Sequence, residues 1–579
     1  MDEHVVIVGA VALGPKAACR FKRLAPAARV TLIDRDAVVS YGGCGIPYFI
    51  SGDVSDLKEL RTTSFKLVRD EAFFRDCKDI TLLTRTEALK IGRASKRLLT
   101  RNLDTGVTAE IPYDKLVLAT GASPRRLDIP GESLAGVHAV ANLGDAEAIR
   151  GMLSSGKASR AVVVGSGFIG LEVAEALADM WGLEVSVVEI MDHVLPRNVS
   201  PVLARMAGQH LAEKGLALHC GEKVLALEGS SRVERVVTDK RVLEADLVIM
   251  AAGVIPNSGL AREAGLTVSP RGGVLVDASM RTSDPDIFAG GDCVEVRNLV
   301  TGGSMHLPLG SMANRQGRVI GTNLARSVSS AGGDGGDAVF PGAVGSYAVK
   351  LFERTVAGAG LTPTQARQAG YDIVNPLVIQ FDRAHFFPGK ELMTLELTVD
   401  KPTRQVLGLQ GIGASGDALV GRVGAVAALM GKGCLAEDLS VLEYPYSPPY
   451  SSAMDIVNTL GTVAENMLAG LNQGISPEEF ERLFNEKKEA CFFLDCREPD
   501  NAAAYLERYP DAWRNIPQGQ IRARLEEIPR DRTVVLVCNT GIRSYEAQIT
   551  LHEAGFDNVL NVHGGMAGLK QSGLDPLKK

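Results

Sequence analysis

Short, continuously apolar runs, each closed by a glycine or an acidic residue, punctuate the chain. Val5 to Val8 is the first and ends in Gly9. An amphipathic segment, P-K-A-A-C-R-F-K-R-L24, follows, and Arg29-V-T-L-I-Asp34 is the next apolar run. Strand, glycine turn, helix and strand make a βαβ unit. A second unit opens at Ala161-V-V-V, turns at Gly165-S-G-F-I-G170 and ends in Glu184-V-S-V-V-Glu189. Between them, Tyr113-D-K-L-V-L reads as a buried strand running into the small-residue turn Ala119-Thr120-Gly121. Leu247-V-I-M repeats that pattern, with Gly253 in its turn, and Thr282 to Cys293 gives a further strand closing on Gly290-Gly291-Asp292.

From about Gly335 to Leu460 the pattern changes to mixed strands and helices, with Gly408-L-Q-G-I-G-A-S-G416 in the middle. After Glu478 comes a compact αβ pattern: Cys491-F-F-L-D-C-R497, then Thr533-V-V-L-V-C538 and a helix from Ser544. Residues 470–477 are expected to be a linker, and 327–336, rich in Gly and Ser, a flexible loop between domains. The domains expected are therefore 1–115 with 250–330, 116–249, 335–465 and 475–579. No short repeat period is evident.

At 579 residues the chain has room for three or four domains at about 150 residues each. Apolar residues make up 45% and charged ones 23%, as in ordinary globular protein. A net charge of −7 gives no electrostatic footprint for nucleic acid. The N-terminus is acidic and enters a strand at once, unlike a secretory signal, and no long uncharged apolar run suggests a spanning helix. A cytoplasmic protein that binds neither nucleic acid nor membrane is expected. Nine cysteines, with no C-x-x-C and no zinc spacing, imply free thiols and no metal site.

The second unit carries G-x-G-x-x-G directly between strand and helix. Gly165, Gly167 and Gly170 allow the tight turn and the close approach of a pyrophosphate to the helix N-terminus. Glu189, ending the next strand, can accept hydrogen bonds from ribose hydroxyls. No arginine adjoins it to hold a 2′-phosphate, which favours NADH over NADPH. The first unit reads Gly9-A-V-A-L-Gly14, with Val11 where the middle glycine usually sits, and Asp34 ends its second strand. Asp292, closing an apolar strand at a Gly-Gly turn, can hold a ribityl hydroxyl. Taken together, these turns resemble the pyridine nucleotide-disulfide oxidoreductases over roughly residues 1–460. The resemblance implies an α/β protein with two Rossmann-like dinucleotide-binding domains and an α+β dimerisation domain. It also implies FAD in the first site, with Ala119, Thr120, Gly121 and Asp292 around it, and NAD(P)H in the second.

Many members carry a C-x-x-x-x-C disulfide after the first unit. Here Ser40-Y-G-G-C-G-I-P-Y-F-I-S-G52 has one cysteine, Cys44, and no partner five residues on. One thiol cannot store two electrons as an internal disulfide, so it must cycle as a mixed disulfide or a sulfenic acid. A cysteine opening a helix after a glycine-rich turn is where amide dipoles favour an anion. The segment is similar to the coenzyme A-disulfide reductase branch, as are Leu307-P-L-G-S-M-A-N-R-Q-G-R-V-I-G321 and Tyr446-S-P-P-Y-S-S-A-M-D-I-V-N458. The branch implies a homodimer, with Tyr446 reaching the other subunit's active site as proton donor. The plain alternative is that Tyr446 packs in a Pro-rich turn. Ser40 is counted with the substrate-binding residues. Arg20 and Arg23 match positions that hold coenzyme A phosphates, or else form a solvated helix face. The chain departs from the branch at Gly43, where an Asn is frequent, and at Phe386-Phe387-Pro388-Gly389, where two tyrosines are.

In the tail, Cys538-N-T-G-I-Arg543 forms C-x-x-x-x-R between a strand and a helix. A loop this short aims backbone N–H groups at its centre and suits a thiolate or persulfide anion. With Leu494-D-C-R497 and N-V-H-G-G-M-A-G-L569, it resembles the single-domain rhodaneses over about residues 475–575. The usual His-Ile-Pro-Gly-Ala segment is altered to Asn515-I-P-Q-G-Q520. The expected chemistry is reduction of the S–S bond of coenzyme A disulfide, coenzyme A persulfide or polysulfide by the Cys44 thiolate. Electrons come from NADH by way of FAD, and Cys538 carries sulfane sulfur beside Arg543. Two rivals stay open. One is an NADH oxidase or peroxidase cycling Cys44 through sulfenic acid. The other is a sulfur-relay or redox-sensing protein whose flavin half regulates a partner.

Overall fold

The computed structural model describes residues 3–328 and 336–578. Most of the loop expected over 327–336 lies outside the described residues, and its first two positions belong to the helix Gly310–Val328. The chain divides into two compact units. One is built from residues up to Val188 and from Glu222 to Ala343, the other from Glu189–Gly221 and from Val344 onward.

In the first unit, the runs without polar positions become parallel strands buried on both faces. The first sheet runs Ile287–Ala289, Lys115–Leu118, His4–Val8, Arg29–Ile33, Thr81–Leu83, all parallel. Its register sets Val8 opposite both Ile33 and Leu118, and Leu118 opposite Ala289. Gly9, Asp34, Ala119 and Gly290 therefore all leave the sheet at its carboxyl edge, where parallel sheets bind ligands. Val5, Val6, Ile7, Leu116, Val117 and Phe288 are completely buried. Each such side chain is worth about 1.5–3 kcal/mol over exposure. A second parallel set places Arg160–Val164 between Glu184–Glu189 and Leu247–Met250, with Val137–Ala139 beyond.

In the second unit an antiparallel sheet joins Tyr347–Leu351, Arg354–Gly360, Val406–Gly413, Leu392–Asp400 and Ile373–Val374. Leu377–Phe381 pairs with the first half of Leu392–Asp400. Leu397, Leu409, Leu419 and Leu460 are buried in this region. The tail forms its own parallel sheet, in the order Gly474–Ile475, Val559–Val562, Thr533–Val537, Cys491–Asp495, Trp513–Asn515. Gly474 and Ile475, expected in the linker, are thus an edge strand, too short for a period to register in sequence. The tail core is aromatic: Phe480, Phe484, Phe493 and Trp513 pack with ring centroids 5.0–6.2 Å apart. Such pairs add about 0.5–1.5 kcal/mol each beyond burial. Among the described residues no helix is long and apolar enough to cross a membrane, and no group of His, Cys, Asp or Glu could hold a metal ion.

Candidate redox site and sulfur-carrying loop

The first turn is shaped by close backbone approach. Gly9 has φ +109°, and a Cβ there would run into the Ala119 carbonyl, while one on Gly14 would meet the Gly9 carbonyl. The second turn repeats this, with Gly165 at φ +106° against Ala251 and Gly170 against the Gly165 carbonyl. Gly167 caps the helix Phe168–Glu175, and around Gly167, Gly121 and Gly253 the space is open. Val11, half-buried, stands at the head of the first helix, Leu13–Leu24. The Asp34 carboxylate accepts the Ala10 N–H at 2.6 Å and the Asp36 N–H at 2.9 Å. Burial raises its pKa against those two bonds. Glu189 is the last residue of its strand, and its carboxylate accepts the Met191 N–H at 2.9 Å.

The Ala119–Gly121 turn is pinned by Asn257, a residue sequence reasoning passed over. Its side chain donates to the Thr120 carbonyl at 2.9 Å, its carbonyl accepts the Thr120 hydroxyl at 2.6 Å, and its amide donates to the Gly121 carbonyl at 2.9 Å. Buried Gln316 accepts the Gly291 N–H at 2.7 Å, fixing the turn that carries Asp292. Burial pushes the Asp292 carboxyl up, with His306 opposing. The neighbouring Cys293 is fully buried against the Gly290 carbonyl, and burial raises its pKa.

Cys44 sits in a single helical turn, Gly43–Gly45, that leads into Ile46–Ser51, and its side chain is exposed. Beside it begins the nineteen-residue helix Gly310–Val328. A Cβ added to Gly310 would lie 3.6 Å from the Cys44 sulfur, so the helix N-terminus approaches the thiol where unpaired amides favour an anion. Gly310 lies within the Leu307–Gly321 motif, and nothing in its spacing marks it as a neighbour of Cys44. Ser40 is buried with φ +51°, and its amide donates to the Ala10 carbonyl at 2.8 Å, tying this segment to the first turn. Arg20 donates to the Thr322 hydroxyl at 3.1 Å. Burial lowers its pKa, helped by the charges of Arg318 and Arg23. Arg318, on the facing helix, completes a basic trio that sequence order conceals.

In the second unit Tyr446 is 52% exposed, and Phe386, Val441, Tyr450 and Met454 are exposed as well. Its loop is anchored by the Ala384 amide, which donates to the Pro448 carbonyl at 3.2 Å.

The tail thiol has the opposite surroundings. Cys538 is 1% exposed. Its sulfur accepts the Gly541 N–H at 3.1 Å and the Ser544 hydroxyl at 3.3 Å. Ser544, the residue after Arg543, is a functional candidate that the motif alone did not name. The loop is braced from behind: the Met566 amide donates to the Cys538 carbonyl and the Ala567 amide to that of Asn539, at 2.8 and 2.9 Å. Gly565 is required there, since a Cβ would strike the Cys538 carbonyl. Arg543 is half-buried and its charge is felt at Cys496. The altered segment also has a place, because the Asn515 side chain donates to the carbonyls of Asp495 and Arg497 at 2.8 and 2.9 Å.

The pyridine nucleotide-disulphide oxidoreductase family pattern matches residues 3–317, over half the chain. The chain belongs to this family. Its dimerisation domain matches residues 347–457, and the rhodanese-like domain residues 476–572. A relative named NAD(P)H sulfur oxidoreductase (CoA-dependent), from Pyrococcus abyssi, is 33% identical over 80% of this chain and 98% of its own. One named NADH oxidase, from Methanocaldococcus jannaschii, is 31% identical over 81% of this chain and 99% of its own. The solved NAD-dependent persulfide reductase from A. fulgidus is 39% identical, with a TM-score of 0.90 over 98% of this chain and 99% of that one. Fold and family therefore agree with the expectation from sequence. The chain is an oxidoreductase of a flavin- and nicotinamide-using family, fused to a rhodanese-like tail.

Proposed function

We propose that this oxidoreductase takes hydride from NADH, or from NADPH, and reduces the S–S bond of coenzyme A persulfide, coenzyme A disulfide or polysulfide at Cys44. The single observation that carries the reading is an exposed thiol, with no second cysteine in its segment, lying against the N-terminus of a long helix.

The residues of the first sheet's carboxyl edge fit FAD: the backbone turn at Gly9, Val11 and Gly14, the Asp34 carboxylate with lone pairs left over, and the open space at Gly121. Bound there, the flavin would relay an electron pair from nicotinamide to sulfur. The domain over residues 1–115 and 250–330, with the strand Lys115–Leu118 and its turn, would serve that purpose, and the rest of 116–249, with Gly165, Gly167, Gly170 and Glu189, would hold the nicotinamide nucleotide beside the Gly253 turn. A carboxylate at Glu189 repels a 2′-phosphate, so NADH is preferred. The Cys44 thiolate, favoured by the amides at Gly310, attacks one sulfur of the substrate's S–S bond, and the other sulfur leaves with the bonding pair as a thiolate, that of coenzyme A where the substrate carries it. Arg20 and Arg23, with Arg318, hold the phosphates of coenzyme A by charge, and Ser40 orients the segment that presents the thiol. Tyr446 protonates the leaving thiolate from a second subunit. Exposed apolar side chains of the same unit, Phe386, Val441 and Met454 among them, are of the kind that a dimer covers. Cys538 carries sulfane sulfur as a persulfide, stabilised by Gly541, Ser544 and Arg543, and covalent fusion keeps that donor at high local concentration.

The test is NADH oxidation with coenzyme A persulfide, coenzyme A disulfide, polysulfide and peroxide, comparing the parent with Cys44→Ser and Cys538→Ser. Full activity of Cys44→Ser on every sulfur compound overturns the reading. The relative named NADH oxidase favours one rival, in which Cys44 cycles as a sulfenic acid. Turnover with peroxide and none with sulfur compounds would establish it.

A further inference from the structure

Cys496 has no part in the chemistry described so far, yet the tail's sheet brings it to Cys538. Asp495 pairs with Val537 in the parallel ladder between Cys491–Asp495 and Thr533–Val537. The Cys496 amide then donates to the Val537 carbonyl at 2.8 Å, so the next residues in register are Cys496 and Cys538. Neighbouring strands lie about 4.8 Å apart, inside the roughly 4.4–6.8 Å Cα separation that a disulfide spans. Residues in register on parallel strands point to the same face. Both thiols accordingly lie in one core cluster with Leu494, Leu536 and Ala547.

The position of Cys496 is fixed. Asp495 and Arg497, on either side of it, form a buried ion pair with nitrogen–oxygen distances of 2.6–3.1 Å. The Asn515 amide holds the carbonyls of the same two residues. Burial pushes the Cys496 thiol well up, and proximity to Cys538 is the next cause. Cys496 is 0% exposed, so no external thiol or donor competes for it.

We infer that Cys496 is a resolving cysteine, which closes an intradomain disulfide with Cys538 when a persulfide there is not handed on. The inference rests on the reading of Cys538 as a persulfide carrier. The Cys496 thiolate attacks the inner sulfur of Cys538–S–SH. Its electron pair makes the new S–S bond, the pair of the old bond leaves with the outer sulfur as HS⁻, and HS⁻ takes up the proton that Cys496 gave. Two thiols are oxidised to one disulfide, and the sulfane sulfur is the oxidant, reduced to sulfide. Because burial disfavours the Cys496 thiolate, this step is slow beside transfer to an external thiol. It acts on a carrier left loaded.

The experiment loads the full chain with thiosulfate, removes the excess, and follows intact mass and sulfide release after alkylation under denaturing conditions. The expected course for the parent is a gain of one sulfur, then its loss together with two hydrogens. An equivalent of sulfide is released, and a reductant-sensitive peptide joins Cys496 to Cys538. Cys496→Ser and Cys496→Ala, with thermal melting to verify the tail, stay loaded. A parent that keeps its sulfur as long as these variants do, with no joined peptide, overturns the inference and leaves the carrier intact. Folded Cys496 variants that gain no sulfur from thiosulfate or polysulfide overturn the carrier reading, and this route with it.

Discussion

The two reactive-thiol candidates of this chain are built on opposite plans. Cys44 is exposed in a turn of small residues, and its setting comes from a helix N-terminus far away in sequence. Cys538 is buried, and both donors to its sulfur lie in the short loop and the helix that follows. A thiol that exchanges electrons and substrate must be reached from more than one side, so packing around it is sparse. A thiol that stores an oxidised sulfur gains by exclusion of water and competing thiols, so packing is complete. On the proposed roles, accessibility follows from the job.

The sharpest break in the comparison is Cys44→Ser. It should lower NADH-dependent reduction of sulfur compounds on the order of a thousandfold or more while flavin content and thiosulfate loading at Cys538 remain. Equal loss of both activities would mean that the two sites are not separable. Next is Gly565→Ala, which forces a Cβ into the Cys538 carbonyl. It should destabilise the tail by about 1–3 kcal/mol and abolish sulfur loading, with disulfide reduction at Cys44 retained. Thermal melting and a loading assay read both effects. Ser544→Ala removes one donor from the Cys538 sulfur and should slow loading about tenfold, since hydrogen bonds to charged groups are worth about 1.5–3 kcal/mol. Two further effects are in pH. Burial pushes His563, beside the loop's bracing glycines, down to about 4 from 6.5. The unfolded tail then binds more protons between those values, and stability falls as pH drops through them, by up to about 3 kcal/mol. Glu396, pushed up to about 7 from 4.5 by burial, acts in the reverse sense. Its contribution is present below 4.5 and lost as pH rises to 7. His563→Gln should flatten the acid limb of a melting profile, and Glu396→Gln the neutral one. Unchanged profiles would show that neither group titrates as its burial dictates.

Much of the fold was legible because its signals are local. Uninterrupted apolar strands ending in Gly9, Gly165 and Asp34 mark a parallel sheet and its ligand edge without any knowledge of what packs where. The strand, loop and helix around Cys538 are contiguous, so the site could be read from one stretch. Ser544 escaped notice because a serine at the start of a helix has many roles. Asn257, Gly310, Gln316 and Arg318 escaped for a different reason. Each acts on a turn or side chain distant in sequence, and no periodicity records such a pairing. The edge strand Gly474–Ile475 was hidden by its brevity, and Asn515 by its departure from the familiar rhodanese segment.

The order of residues alone determined most of the secondary structure, the two glycine-turn units, the single cysteine after the first of them, and the C-x-x-x-x-R loop in the tail. These depend on backbone sterics and burial within short windows. Only the tertiary structure decided that Gly310 opens a helix against Cys44, that Arg318 joins Arg20 and Arg23, and that Cys496 stands in register with Cys538. Those are consequences of strand register and helix packing, which bring distant residues together by maximising the burial of apolar surface and so leave no trace in local order.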